Sequence, residues 1–357
     1  MRVNSAGLQI DSLASLRFLF FLGIFFSHYK WNGEFFFPIG GPMGVSFFFI
    51  LSGFSLSIGY GSRVNVLDVK IFMKKRIMKI YPMHIITLGY RFITFLLFPL
   101  ILGEDICKKL IALILNIFLL QAWWPDIDLI FSYNTIAWFL SPIVFFYLLF
   151  PYLFSFVDNH RLLFWGPCFI MLYCLGAYII PRTMLQTILY VSPLFRVFDF
   201  VLGIVTYKFL MCVLLKDYSL PIKMRKEPLI PYLIEMGIGI IILMIILISP
   251  YVDLRWRIAS FFWLPLVVTI LSLSLSELYT GGGWLSKALF KRLGSASYEM
   301  YMIHAIIISL FQHGFDKYTQ GRNNSQLMVM AICFICVVVI GLALHIINNK
   351  LVKWISR

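Results

Sequence analysis

Eleven apolar stretches, separated by short charged loops, fill this chain from residue 13 to residue 347. A helix of ~20 apolar residues matches the thickness of a bilayer's hydrocarbon core. Lipid offers the backbone no hydrogen-bond partner, so each crossing segment must pair its own N–H and C=O groups. The pattern predicts an all-α fold, a polytopic membrane helix bundle. The stretches are roughly 13–31, 43–60, 79–101, 108–122, 137–157, 162–181, 194–215, 229–250, 257–278, 296–313 and 327–347. No segment between them is long enough for a separate folded unit, so residues 1–357 read as a single integral membrane domain.

Composition supports this. The chain is 61% hydrophobic and 13% charged, against about 45–50% and 25% for a soluble domain. The net charge of +14 raises nucleic acid as a partner, but the charges sit in short interhelical loops. They fit the topology bias of membrane proteins and attraction to anionic lipid headgroups; membrane lipids are expected partners and nucleic acid is not. Trp123, Trp124, Trp138 and Trp256 fall at run ends, where interfacial aromatics are expected. Phe runs through the stretches and reads as lipid-facing or packing. The six cysteines are scattered and suggest no disulfide framework; Cys333 and Cys336 have metal-like spacing but no second pair, so no metal is expected. The N-terminus lacks a cleavage site after a short apolar region, so the first helix is expected to stay as an anchor.

The stretch 108–122 is too short for an ordinary span, and charge asymmetry decides whether it crosses. If it does not, and the N-terminus is cytoplasmic, the inner segments hold nineteen Lys and Arg and the outer ones eight. If it crosses, every later loop flips and the count becomes twelve inside against fifteen outside. Only the first arrangement obeys the positive-inside bias. It gives about ten transmembrane helices, both termini cytoplasmic, and a re-entrant or interfacial segment at 108–122.

Arg17 and His28 lie eleven residues apart in the first run. That is close to a whole number of helical turns, so both leave one face, separated by ~16 Å along the axis. Ionisable groups in hydrocarbon mark functional paths; the alternative is a snorkelling Arg near one end and an interfacial His near the other. In the second run, Gly44-Val45-Ser46 to Ser52-Gly53-Phe54 offers small residues for close helix approach, with Ser46 and Ser52 as possible hydroxyl donors. Arg76 and Lys79 face one side of a starting helix, where cations and free backbone N–H groups together suit phosphate. Pure topology signal explains Lys70, Lys74 and Lys75.

Taken in register, these segments resemble the acyltransferase type 3 family of membrane-bound acyltransferases. Arg17 and His28 match its basic residue, ten spacers and histidine. Gly44 to Phe54 is similar to its Phe-rich Ser-Gly segment. Arg76 to Pro82 resembles its Arg-x-x-Arg stretch before Tyr-Pro, with Lys79 at the second Arg. Trp138 to Ser141 with Phe146 to Pro151, Phe195-Arg196 with Asp199-Phe200 and Gly203, and Leu293-Gly294 with Ser297-Tyr298, Tyr301 and Ile303-His304 resemble three later motifs. Two departures stand out. Many members carry Glu two residues after the motif serine, where this chain has Ile143. Some continue into an extracytoplasmic esterase-like domain, whereas this chain stops ten residues after its last apolar run.

The resemblance implies transfer of an acyl group, usually acetyl, from cytoplasmic acyl-CoA to a hydroxyl of a cell-surface polysaccharide or lipid-linked glycan. It also implies a bacterial inner membrane. Acetyl-CoA is then the donor, held by Arg76, Lys79 and Arg17. The catalytic set is His28, Arg17 and Asp199, with His28 a general base or a transiently acylated nucleophile. Asp199 is either the acceptor that orients His28 or a partner that simply neutralises Arg196. Ser52, Trp138, Arg196, Tyr298 and His304 are the expected substrate-binding residues; for His304 the alternative is a structural histidine bonded to a backbone carbonyl. The rival class is a multi-pass transporter or flippase for a lipid-linked sugar, in which the buried ionisable groups, Glu235 among them, form a substrate path or proton relay.

Overall fold

The computed structural model describes residues 10–31, 33–97, 106–157, 159–215, 227–319 and 326–355. The chain is almost wholly helical. The helices are α1 (Asp11–His28), α2 (Gly40–Tyr60), α3 (Val69–Leu97), α4 (Ile106–Ile117), α5 (Ile127–Ile130), α6 (Leu140–Phe156) and α7 (Asn159–Ile179). They continue with α8 (Pro193–Leu215), α9 (Ile230–Ile248), α10 (Leu254–Arg257), α11 (Trp263–Thr280), α12 (Ala288–Ser295), α13 (Ser297–Thr319) and α14 (Gln326–Ile355). One two-residue hairpin follows α1, with β1 (Lys30–Trp31) antiparallel to β2 (Glu34–Phe35).

Six described helical segments are long and apolar enough to cross a membrane: Gly40–Val66, Ala137–Phe156, Pro193–Leu214, Ile230–Tyr251, Ser260–Thr280 and Gln326–Ile355. Cys168–Ile179 and Arg182–Val191 meet at a 112° bend and make a seventh only where such a broken pair counts as one span rather than a re-entrant loop. The expectation of about ten is therefore met in part. α1, α3 and α13 are long helices at the expected places, but ionisable residues lower their apolarity. Arg17 interrupts α1, α3 opens on five Lys and Arg by Lys79 and holds Pro82, and α13 carries Glu299 and His304.

α2 is central, with 67% of its apolar window buried, against 17% for Ile230–Tyr251. The latter turns Leu233, Met236, Ile240, Leu243 and Leu247 outward, the surface lipid would cover. α2 packs most closely on α8, and glycines allow it. A Cβ on Gly203 would lie 1.9 Å from the Ile50 carbonyl oxygen, and one on Gly53 would lie 2.1 Å from that of Phe200. The small-residue reading of Gly53 is thus helix packing. The central Phe residues pack inside: Phe20 stacks on Phe47 at 3.8 Å, Phe49 on Phe139 at 4.5 Å and Phe146 on Phe200 at 5.0 Å.

α1 begins without a capping side chain of its own. Its first N–H groups, on Asp11 and Ser12, instead donate to the two oxygens of Glu277 on α11, at 2.7 and 2.8 Å. A carboxylate there offsets the positive end of the helix dipole. With Lys291 on Asp11 at 2.8 Å, this fixes the end of α1 nearer Arg17.

The stretch 108–122 is α4, whose twelve residues reach only about 18 Å, followed by a folded-back loop. Lys108 pairs with Asp126 and Asp128 at 3.2 and 2.7 Å. The far end of α4 reaches the middle of α3, where its carbonyls accept from Tyr81 Oη at 3.0 Å and His84 Nε2 at 2.9 Å.

Candidate functional site

Two cavities lie along α1, one at Arg17, termed inner, and one at His28, termed outer. The inner one, about 430 Å³, is lined by Arg17 (α1), Ser52 and Ser55 (α2), Arg76 and Lys79 (α3), Ile143 and Tyr147 (α6), and Tyr298 and Glu299 (α13). The outer one, about 460 Å³, is lined by Ser27 and His28, Thr135 and Trp138, Gln186 and Tyr190. Tyr301 lines both. The helical reading of the Arg17–His28 spacing therefore holds: one helix face serves both chambers.

Cations dominate the inner cavity. Arg17 Nη2 donates to Ser55 Oγ at 3.5 Å. The Arg76 guanidinium rests over the rings of Tyr60 at 4.8 Å and Phe72 at 5.7 Å, and its Nε is buried without a partner. Neither arginine nor Lys79 is ion-paired among the described residues. Glu299 is the sole carboxylate in the lining and is already engaged, by His345 Nδ1 at 3.0 Å and Asn348 Nδ2 at 2.8 Å. Lys74 and Lys75 are exposed and outside the lining. One expectation needs correction. α3 starts at Val69, so Arg76 and Lys79 lie two to three turns inside it, and the free N–H groups of its first turn are about 10 Å away. Arg76 and Lys79 therefore contribute through their side chains, without the end of α3.

The outer cavity holds His28 at the last residue of α1. Its Nδ1 lies 2.9 Å from the Ile24 carbonyl oxygen and 3.3 Å from Ser27 Oγ. A carbonyl only accepts, so Nδ1 carries the hydrogen and Nε2 the lone pair. His304 follows the same logic. Its Nδ1 is 2.6 Å from the Tyr301 carbonyl oxygen, which leaves Nε2 to face His28 Nδ1 at 3.4 Å. The two rings meet edge to face at 5.0 Å. His28 is thus oriented by the carbonyl of its own helix and backed by a second imidazole.

Asp199 does not orient His28. Its Oδ2 pairs with Arg196 Nη1 at 3.3 Å, both side chains being fully buried, and its Oδ1 accepts from Trp263 Nε1 at 2.8 Å. Arg196 also donates to Ser46 Oγ at 3.2 Å and lies 5.4 Å from the ring of Tyr190, one ring behind the outer cavity. Neither Arg196 nor His304 lines either of these two cavities, so neither is placed to touch a substrate in them. Each buried charge needs an opposite partner, and the i, i+3 pair on one helix supplies it to both. Ser52 and Tyr298 line the inner cavity, although the Tyr298 hydroxyl is committed to the Ile80 carbonyl at 2.6 Å. Trp138 lines the outer cavity and is buried, so it is not an interfacial belt residue.

The family described as "Acyltransferase domain" matches residues 10–347. The chain belongs to this family. Acyltransferase MdmB of Streptomyces mycarofaciens is 24% identical over 344 residues, covering 89% of this chain and 82% of that protein. No solved structure matches the chain. The protein is a membrane acyltransferase, and an acyltransferase must bring a donor and an acceptor together beside a proton acceptor. Here two chambers abut at Tyr301, and His28, in the wall of one, has no partner on Nε2 among the described residues. Sequence reasoning passed over three features of this acyltransferase. In the sequence Tyr301 stands out only as part of a motif. The Glu299–His345–Asn348 cluster was signalled by an acid inside an apolar run and by the i, i+3 spacing of its partners. Tyr190 carried no signal, because a Tyr in an apolar run reads as packing.

Proposed function

We propose that the chain is a membrane-bound O-acyltransferase moving an acetyl group from cytoplasmic acetyl-CoA to a hydroxyl of an extracytoplasmic cell-surface glycan. The observation that carries this is the pair of cavities along α1, one holding three cations without carboxylate partners and the other an imidazole with its lone pair free. The inner cavity suits phosphates, because guanidinium forks pair with them bidentately. Arg76 and Lys79 hold the donor's phosphates at the mouth, and Arg17 binds deeper. Ile143 stands in that wall where many family members carry Glu, so this chain's donor site has one negative charge fewer.

His28 Nε2 takes the proton of the acceptor hydroxyl as its oxygen attacks the thioester carbonyl. The C–S bond breaks, and the thiolate leaves with the proton returned from His28. The bundle sits in a bacterial inner membrane with ten crossings and both termini cytoplasmic, so that Arg17 faces the donor side and His28 the glycan. The carrier reading loses Glu235, whose carboxylate accepts from the backbone N–H groups of Trp284 at 2.8 Å and Leu285 at 3.1 Å. Radiolabelled acetyl-CoA supplied to the cytoplasmic face of inverted membrane vesicles tests the proposal. Label should appear on envelope glycan with the parent chain and be lost with His28→Ala. Equal labelling by the two, at matched protein levels, removes the base from the scheme.

A further inference from the structure

The two cavities are separated by one small assembly. Tyr301 of α13 is the side chain common to both linings. Its hydroxyl donates to the Ile136 carbonyl at 2.9 Å, and Ile136 lines the outer cavity. Its ring lies 5.4 Å from that of Phe139, which lines the inner cavity, and 5.5 Å from that of His304. The loop bearing Ile136 and Phe139 is held to the bundle at two further points. Asn134 Nδ2 donates to the Met302 carbonyl at 3.0 Å, and Gln121 Nε2 to that of Ala137 at 3.0 Å. Losing the Tyr301 tether alone would leave this loop anchored.

We propose that Tyr301 is the specificity-determining partition of this acyltransferase: the donor's acyl group must pass its ring to reach His28, and the tethered ring limits both acyl length and the entry of water. The inference rests on the acyl-CoA reading above. With its hydrogen engaged by Ile136, the hydroxyl cannot donate to a thioester oxyanion, so Tyr301 acts by shape. A septum matters because water competes with the acceptor for the same carbonyl. Attack by water gives free carboxylic acid and CoA thiol, with the same C–S bond broken and no product on glycan. Excluding water is a recognised task of closed active sites.

The experiment measures CoA thiol release by the purified full chain in proteoliposomes without acceptor, using acetyl-CoA and butyryl-CoA, for the parent chain, Tyr301→Phe and Tyr301→Ala. Tyr301→Phe keeps the ring and frees it; Tyr301→Ala removes the septum. Acceptor-free hydrolysis of acetyl-CoA should rise about tenfold in Tyr301→Ala and less in Tyr301→Phe. The butyryl-to-acetyl rate ratio should rise by about tenfold or more, the scale on which pockets sort single methylenes. Acetyl-CoA affinity should stay within about twofold in both variants, since the cations are untouched. Unchanged hydrolysis and unchanged chain-length ratio in either folded variant overturn the partition. Failure of the parent chain to bind or turn over either thioester overturns the acyl-CoA reading itself, and the partition with it.

Discussion

In the proposed mechanism His28 is the residue on which the chemistry turns, and its partners decide its role. The Ile24 carbonyl fixes the hydrogen on Nδ1, and an imidazole so fixed presents Nε2 as the acceptor. His28→Ala should lower transfer by about 10²–10⁴, the usual worth of a general base, while acetyl-CoA binding, measured by calorimetry, stays unchanged. Arg76 has the complementary fate. Removing a charge-assisted contact worth about 1.5–3 kcal/mol in Arg76→Ala should weaken acetyl-CoA binding by ten- to a hundredfold. Asp199 shows where residue-level reading stops. Its spacing from Arg196 permitted either an ion pair or a partnership with His28, and only the packed structure shows which formed. Asp199→Ala would strand a buried guanidinium at a cost of about 3–5 kcal/mol. The expected outcome is loss of folded protein on thermal denaturation in detergent, beyond that of Asp199→Asn. An active, equally stable Asp199→Ala would show that the pair is dispensable.

At the scale of elements, most of the helices were legible because apolar runs of bilayer length have no other way to satisfy their backbones. What stayed hidden was how tightly and at what angle they meet. The α2–α8 contact depends on Gly53 and Gly203 facing backbone carbonyls. Gly203→Val should therefore separate the helices, with an overpacking cost of about 1–3 kcal/mol, read as a lowered denaturation temperature. A valine at Gly237 of α9, where no atom lies within 4 Å of the added Cβ, should be neutral by comparison. The short fourth run illustrates the reverse case. Its shortness is plain in the chain, and the loop charges argue against its crossing, but its ties to Tyr81 and His84 depend on neighbours remote in sequence. The 112° bend between Cys168–Ile179 and Arg182–Val191 likewise left no clear mark, because both pieces are largely apolar and only Ile180 and Pro181 stand between the two arms.

Across the whole molecule, the proposed topology puts the hairpin after α1 outside and the loop after α11 inside. Phe36 and Trp284, both exposed, report on this. In intact cells a membrane-impermeant thiol reagent should label Phe36→Cys above the parent background, and Trp284→Cys only after permeabilisation; the opposite pattern would invert the bundle. The amino-acid sequence determined that this chain is a helical membrane protein with one cation and one imidazole on a single helix face, because lipid imposes helices and 3.6-residue geometry aligns positions eleven apart. Its motifs, in register over nearly the full length, also carried the acyltransferase family. The tertiary structure alone decided that the face opens into two cavities rather than one channel, that Tyr301 stands between them, and that the buried carboxylate of Asp199 belongs to Arg196. The cavities and the place of Tyr301 depend on which side chains from several helices meet, and contacts between segments a hundred or more residues apart leave no periodic trace in the order of the chain; the Arg196–Asp199 spacing was legible, but packing alone set Asp199 apart from His28.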